Sequence, residues 1–342
     1  MTDDLTRSLA ERASRAAKGH APDAALENVE PLTGGTSSLT FVADMRSGDG
    51  SQGRVVLKVA PPGLAPVRNR DVLRQARVMR ALHGYEGVRV PPVLFEDAGD
   101  PPDTPPFVAM ALVPGVCLEP VLEESRDPAE FADVRARALD AAAVLAAIHA
   151  VPPERAGLGD EPVVSLEDEI ERWTLAFSTV PPDLQNDYER CARALHATVP
   201  APVAPVINHG DYRLGNTLCR GGRVEAVIDW EIWSIGDPRV DLSWFTFFTD
   251  EARHPAAPSH APSGMPTGAE LLAAYIEAGG QEMPDLAWFD ALTYYKEAAA
   301  TALLIKRGRR RGTLTPAMEG MIPALPELLA KAEALLGDLK RA

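Results

Sequence analysis

One stretch restricts this chain more than any other. Val206-Ile207-Asn208-His209-Gly210-Asp211-Tyr212-Arg213-Leu214-Gly215-Asn216-Thr217-Leu218 reads as an apolar strand, a loop carrying Asp211, and Asn216 five residues on. A second apolar strand ends at Val227-Ile228-Asp229, thirteen residues after Asn216, and Trp230-Glu231 and Gly236-Asp237-Pro238-Arg239-Val240-Asp241-Leu242 follow. His, Gly, Asp and Asn at set spacings arise by chance in a chain of this length only about once in 500, and requiring Asp229 lowers that about twentyfold. An Asp and an Asn five apart on one rigid loop can point at two sides of the same cleft, with the second Asp at the end of the adjacent strand.

The surroundings divide in two. Prolines cluster at 61–66, 91–92, 101–106, 200–205 and 255–266, and each cluster marks a loop because proline lacks a backbone donor and disfavours helix before itself. Between the early clusters, Ser38 to Ala43, Arg54 to Val59, Val93 to Phe95 and Phe107 to Met110 read as strands, with one helix from Asn69 to His83. Beyond Pro114-Gly115 the pattern turns helical. Phe131, Val134, Ala138, Ala141, Leu145 and Ile148 form one buried stripe, and further helices are expected over 166–179, 183–198, 238–249, 268–279, 286–308 and 318–339. The expected fold is therefore α+β and bilobal: a β-rich lobe over 1–112, after a short N-terminal helical segment, and a larger, mainly helical lobe over 113–342.

Composition excludes several classes. With 34 basic and 49 acidic residues the net charge is −15, which argues against nucleic acid or anionic membrane as partner. No apolar run reaches the roughly 18–20 residues of a membrane span, and Met1-Thr2-Asp3-Asp4 does not begin a signal peptide. Cys117, Cys191 and Cys219 are far apart and odd in number, so a reducing cytoplasm is the expected compartment.

Phosphoryl transfer from ATP needs a carboxylate facing the acceptor hydroxyl and oxygen ligands holding Mg²⁺ against the phosphates. Asp211 and Asn216 on one loop, with Asp229 at the end of the adjacent strand, fit that need. Lys58 is a lone ammonium on an apolar strand, a costly position unless it has a task. Thr33-Gly34-Gly35-Thr36-Ser37-Ser38 can approach phosphates closely through its glycines and hydroxyls. Signatures of serine hydrolases, zinc proteases and P-loop enzymes are absent.

On these residues the chain resembles the aminoglycoside phosphotransferase family, which has the protein-kinase-like fold. His209-Gly210-Asp211-Tyr212-Arg213-Leu214-Gly215-Asn216, Ile228-Asp229-Trp230-Glu231 and Gly236-Asp237-Pro238 resemble most the branch fused to, or encoded beside, acyl-CoA dehydrogenases. The resemblance covers about residues 28–335. It implies Asp211 as catalytic base, Asn216 and Asp229 as magnesium ligands, and ATP held by Gly34, Gly35, Ser37, Ser38 and Lys58, with Met110, Ala111 and Val113 at an adenine-binding hinge. It implies a small-molecule hydroxyl substrate: a hydroxylated metabolite such as a hydroxyacyl thioester, or an antibiotic. His209, Asp237 and Asp241 are expected to brace the loop or cap a helix, and His149 to sit in the core.

One departure stands out. The family usually carries a glutamate on the small-lobe helix to pair with the lysine, and here that position is Gln75. Asp71, one turn earlier, is the candidate substitute; a non-catalytic ATP-binding module is the reading Gln75 leaves open. The acceptor site is expected from Asp250 to Gly268 and the Tyr294 to Arg311 helix. The basic run Lys306-Arg307-Gly308-Arg309-Arg310-Arg311 reads either as a solvated helix end or as an anion site.

Overall fold

The proline-bounded apolar runs of the first third become one antiparallel sheet. The computed structural model describes residues 2–32, 38–46, 52–124 and 127–339. Helix α1 (Thr2–His20) precedes β1 (Ala25–Leu32), β2 (Leu39–Arg46), β3 (Gln52–Val59), α2 (Val72–Leu82), β4 (Val93–Asp97) and β5 (Phe107–Ala111). The five strands lie in the order β1-β2-β3-β5-β4. Alternation along β3 decides what each face does. Val55, Leu57 and Val59 pack with Phe107 and Ala109 against Leu9, Ala13 and Ala17 of α1. Val56 packs on the opposite side, towards α2, and Lys58 shares that side by the period of two. Helix α1 is thus a full 19-residue element covering the back of the sheet, not a short segment.

The helical region follows the chain: α3 (Phe131–His149), β6 (Val163–Val164), α4 (Leu166–Ser178), α5 (Pro182–Gln185), α6 (Tyr188–His196), β7 (Val206–Asn208), β8 (Thr217–Arg220), β9 (Arg223–Val227), β10 (Ser234–Gly236), α7 (Arg239–Thr246), α8 (Gly268–Glu277), α9 (Leu286–Arg311), α10 (Pro316–Gly320) and α11 (Ala324–Leu339). Two expected helices are broken. The 183–198 stretch splits where Asn186 takes a positive φ of 50°, and the last helix restarts after Pro323. Two small strands went unforeseen: β6 and β10 pair in parallel, and β10 also pairs with β7, so three distant segments meet beside the Asp211 loop.

Two cores hold this region. One gathers α4, α6, α7, α9 and α11 around Phe177, Trp288, Phe289 and Tyr295. The other runs unbroken from Val72, Ala76, Met79 and Leu82 of α2 to Ala141, Leu145, Ile207, Trp230 and Trp233, joining the sheet-bearing part to the helical part. Among the described residues no helix is long and apolar enough to cross a membrane.

Candidate active site

The turn between β7 and β8 carries the key side chains, and its backbone is held from behind. Asp241, on α7 and fully buried, accepts the backbone N–H of His209 at 2.6 Å and of Gly210 at 2.8 Å. Burial alone would raise the Asp241 pKa, but His149 nearby, together with His209, holds it below the usual carboxylate range. Gly210 has a φ of +86°, and a Cβ there would lie 2.5 Å from the Ile232 carbonyl oxygen, so only glycine fits before Asp211. His209 braces the same loop: one ring nitrogen lies 2.9 Å from the Ile228 carbonyl, and the other accepts the Asp211 N–H. Asp237 instead clamps the fully buried Arg239 through two contacts of 2.9 and 2.7 Å. His149 contacts Tyr275 and lies 3.5 Å from Asp241, a core position as expected.

Asp211 is gripped on both oxygens. Asn216 Nδ2 donates to Oδ2 at 2.8 Å, and the Trp244 indole N–H donates to Oδ1 at 2.7 Å. The Arg213 guanidinium lies 3.4 Å from the same carboxylate and reaches Glu119, which also accepts the Gly215 N–H. Behind the loop, Lys296 on α9 is buried, donates to the Gly210 carbonyl at 2.5 Å and lies 3.7 Å from the Trp244 ring centroid. Burial lowers the Lys296 pKa, while the charges of Asp211, Glu169 and Asp241 oppose that fall. Next to it, burial raises Glu297 to about 7, and His254, packed between Phe247 and Phe248, is lowered by burial to about 3. Burial likewise raises Glu119 to about 7. Trp244, Lys296, Glu297 and Glu119 were missed in the sequence, where nothing separates them from ordinary helical and loop positions.

Lys58 meets the loop from the sheet. Its ammonium contacts Asp229 Oδ1 at 2.6 Å, joining residues 171 positions apart. Burial raises the Asp229 pKa, but the charge and hydrogen bond of Lys58, with smaller help from His209 and Arg213, together keep the carboxylate below its usual range. Asp229 has a positive φ of 66°, tolerated by aspartate, and its side chain remains 40% exposed. Asn216 spends its Nδ2 on Asp211, leaving Oδ1 as an acceptor. One carboxylate and one amide oxygen are hard donors that suit Mg²⁺ arriving with phosphates. They do not make a stand-alone site, and among the described residues no cluster of three His, Cys, Asp or Glu could hold a metal.

The remaining expected residues are placed as follows. Gln75 is buried but gives its amide to the Asn69 carbonyl, and Asp71 caps α2 through the Arg74 N–H, so neither is seen supporting Lys58. The Ala111 N–H is committed to the Pro92 carbonyl, whereas the Val113 N–H has no partner among the described residues; Met110 pairs with Val56 and Val93 inside the sheet. Gly34, Gly35 and Ser37 lie outside the described residues; Ser38, immediately before β2, is buried. In the basic run, Lys306 donates to the Thr179 carbonyl and Arg309 pairs with Asp183. That run closes α9 fifteen residues beyond Lys296, roughly 20 Å along the axis, where cations complement the helix dipole.

Comparison with known proteins gives the family and the fold. The model of the phosphotransferase enzyme family matches residues 28–292. Acyl-CoA dehydrogenase family member 10 of Mus musculus is 28% identical over 203 residues, 56% of this chain but only 18% of that protein. Viomycin phosphotransferase of Streptomyces vinaceus is 31% identical over 180 residues, covering 49% of this chain and 60% of that one. The chain therefore spans a minor part of the first relative and under two thirds of the second. A candidate aminoglycoside phosphotransferase from Ralstonia eutropha shares the fold with a TM-score of 0.72 at 23% identity, covering 99% of this chain and 98% of its own.

Proposed function

Since the chain belongs to the phosphotransferase enzyme family, we propose that it moves the γ-phosphoryl group of ATP onto a hydroxyl of a small molecule. The observation that carries this reading is the 2.6 Å contact of Lys58 with Asp229, which brings the lysine of the sheet to the loop region bearing Asp211 and Asn216. In the proposed step Asp211 accepts the proton of the acceptor hydroxyl, whose oxygen bonds to the γ-phosphorus as the bond to the bridging oxygen breaks and ADP leaves. Trp244 and Asn216 hold the Asp211 carboxylate for that proton. Asp229 and the Asn216 amide oxygen would hold Mg²⁺, which neutralises phosphate charge when bound. Lys58 would turn from Asp229 to the phosphates, and Val113, whose N–H has no partner among the described residues, would offer it to the adenine.

The acceptor we favour is a hydroxylated metabolite such as a hydroxyacyl thioester, supported by the similarity to acyl-CoA dehydrogenase family member 10. The similarity to viomycin phosphotransferase favours an antibiotic as second reading. Mg-ATP should raise the melting temperature by binding the folded state, and ADP release should be stimulated by hydroxyacyl-CoAs in a screen that includes aminoglycosides, peptide antibiotics, sugars and amino alcohols. Absence of Mg-ATP binding would refute the kinase reading. Stimulation by antibiotics alone would refute the thioester.

A further inference from the structure

The helix that usually supplies a carboxylate to the lysine does something else here. Arg74, in the first turn of α2, lays its guanidinium 3.9 Å from the centroid of the Trp233 ring. The same group donates to the Trp233 carbonyl at 3.0 Å and to Glu161 Oε2 at 2.8 Å. Trp233 answers by donating its indole N–H to the Arg74 carbonyl at 3.1 Å. Arg77, one turn along, takes the other oxygen of Glu161 at 2.9 Å and also meets Asp160. Trp233 is buried, and the Glu161 side chain is only 11% exposed.

The anchors sit where they matter. Trp233 immediately precedes β10, and Glu161 lies two residues before β6, its parallel partner. β10 also pairs with β7, the strand that leads into His209 and Asp211, and Trp233 lies four residues beyond Asp229. So α2 is tied directly to the small sheet whose strand β7 leads into the Asp211 loop and whose strand β10 follows closely on Asp229. A stacked, forked guanidinium with both partners shielded is a stronger tie than an exposed ion pair.

We propose that this Arg74–Trp233–Glu161 clasp, instead of an ion pair between α2 and Lys58, sets the spacing of the nucleotide cleft, making Arg74 a positioning residue for Mg-nucleotide binding. The inference rests on the nucleotide reading above. The cleft is spaced before the nucleotide arrives, while Lys58 is paired to Asp229 and does not tether α2.

The test is calorimetric titration of Mg²⁺ with a non-hydrolysable ATP analogue into the full chain and its variants, below their melting temperatures. Arg74→Met should weaken binding about tenfold, Arg74→Lys should recover part of it, and Glu161→Gln should weaken it about threefold. Gln75→Ala is the control and should stay within about twofold, since its amide serves Asn69. A purely structural clasp would lower the melting temperature of Arg74→Met and leave the dissociation constant unchanged, and that result overturns the proposal. If Arg74→Met does not fold, Glu161→Gln decides: affinity within about twofold of the parent overturns it. If the parent chain itself binds no Mg-nucleotide, the nucleotide reading fails and the clasp proposal with it. Binding by the parent with unchanged variants sinks the clasp alone.

Discussion

Replacing Asp241 by alanine removes the acceptor of two buried backbone N–H groups, those of His209 and Gly210. Each orphaned donor costs about 1–3 kcal/mol, so the loss is about 2–6 kcal/mol. For 342 residues, an unfolding entropy of roughly 2.1 cal/mol/K per residue gives about 0.7 kcal/mol/K, and the melting temperature should drop by about 3–8 °C. Asp241→Asn keeps one acceptor oxygen and turns an amide towards the other N–H, so its loss should be intermediate. Differential scanning calorimetry at pH 7 measures both. The pH dependence has a fixed sign. Asp241 titrates lower in the folded chain than in the unfolded one. Its ionisation therefore stabilises the fold above the ordinary aspartate value and ceases to do so as pH falls through the lower folded value. The gap between the parent and Asp241→Ala should hold from neutral pH down to about pH 4 and narrow only below it. A melting temperature within about 1 °C of the parent at pH 7 would show that water or a shifted backbone satisfies both amides, and the bracing argument would be wrong.

Two further outcomes separate the roles around the loop. Asp229→Ala should abolish Mg²⁺-dependent nucleotide binding, whereas Asp211→Ala should bind Mg-ATP nearly as the parent does while kcat falls by roughly 10²-fold or more; equal loss of binding in both refutes the division. Burial raises the Glu297 carboxyl to about 7, so the folded chain holds a proton that the unfolded chain releases near its ordinary value, and stability falls as pH climbs between the two. Glu297→Gln should therefore gain on the parent from pH 5 to pH 8, by at most about 3 kcal/mol in chemical denaturation. A constant difference across that range would contradict the burial argument.

The α+β fold class and the meeting of Asp211 with Asn216 were legible because proline-bounded apolar runs, and two polar residues five apart on one loop, are short-range features of the segment. Bracing by Asp241 and His209 was legible for the same reason, as both lie on or just beyond that segment. The partner of Lys58 was not, since β3 and the end of β9 meet only through the tertiary fold, 171 positions apart. Gln75 drew attention to α2, but the tie that holds α2 uses Arg74 and Glu161, which on a sequence look like solvated charges. Tyr294-Tyr295-Lys296-Glu297 reads as an ordinary helical turn, and only packing shows that Lys296 and Glu297 are buried.

That turn of α9 limits how such a chain can change its preferences. Lys296 supports the loop under Asp211, and Glu297, the next residue, faces His254 beside it. Any substitution on this helix that reshapes the neighbourhood of His254 also disturbs the support of the loop, because a 26-residue rigid rod moves as one piece. The segment between α7 and α8 is anchored by buried Phe247, Phe248, His254 and Met265, but its exposed middle accepts insertions and exchanges that helices do not. Sequence change that spares the loop under Asp211 is thereby cheapest in the exposed residues 258–262, while α9 stays fixed by the loop it supports.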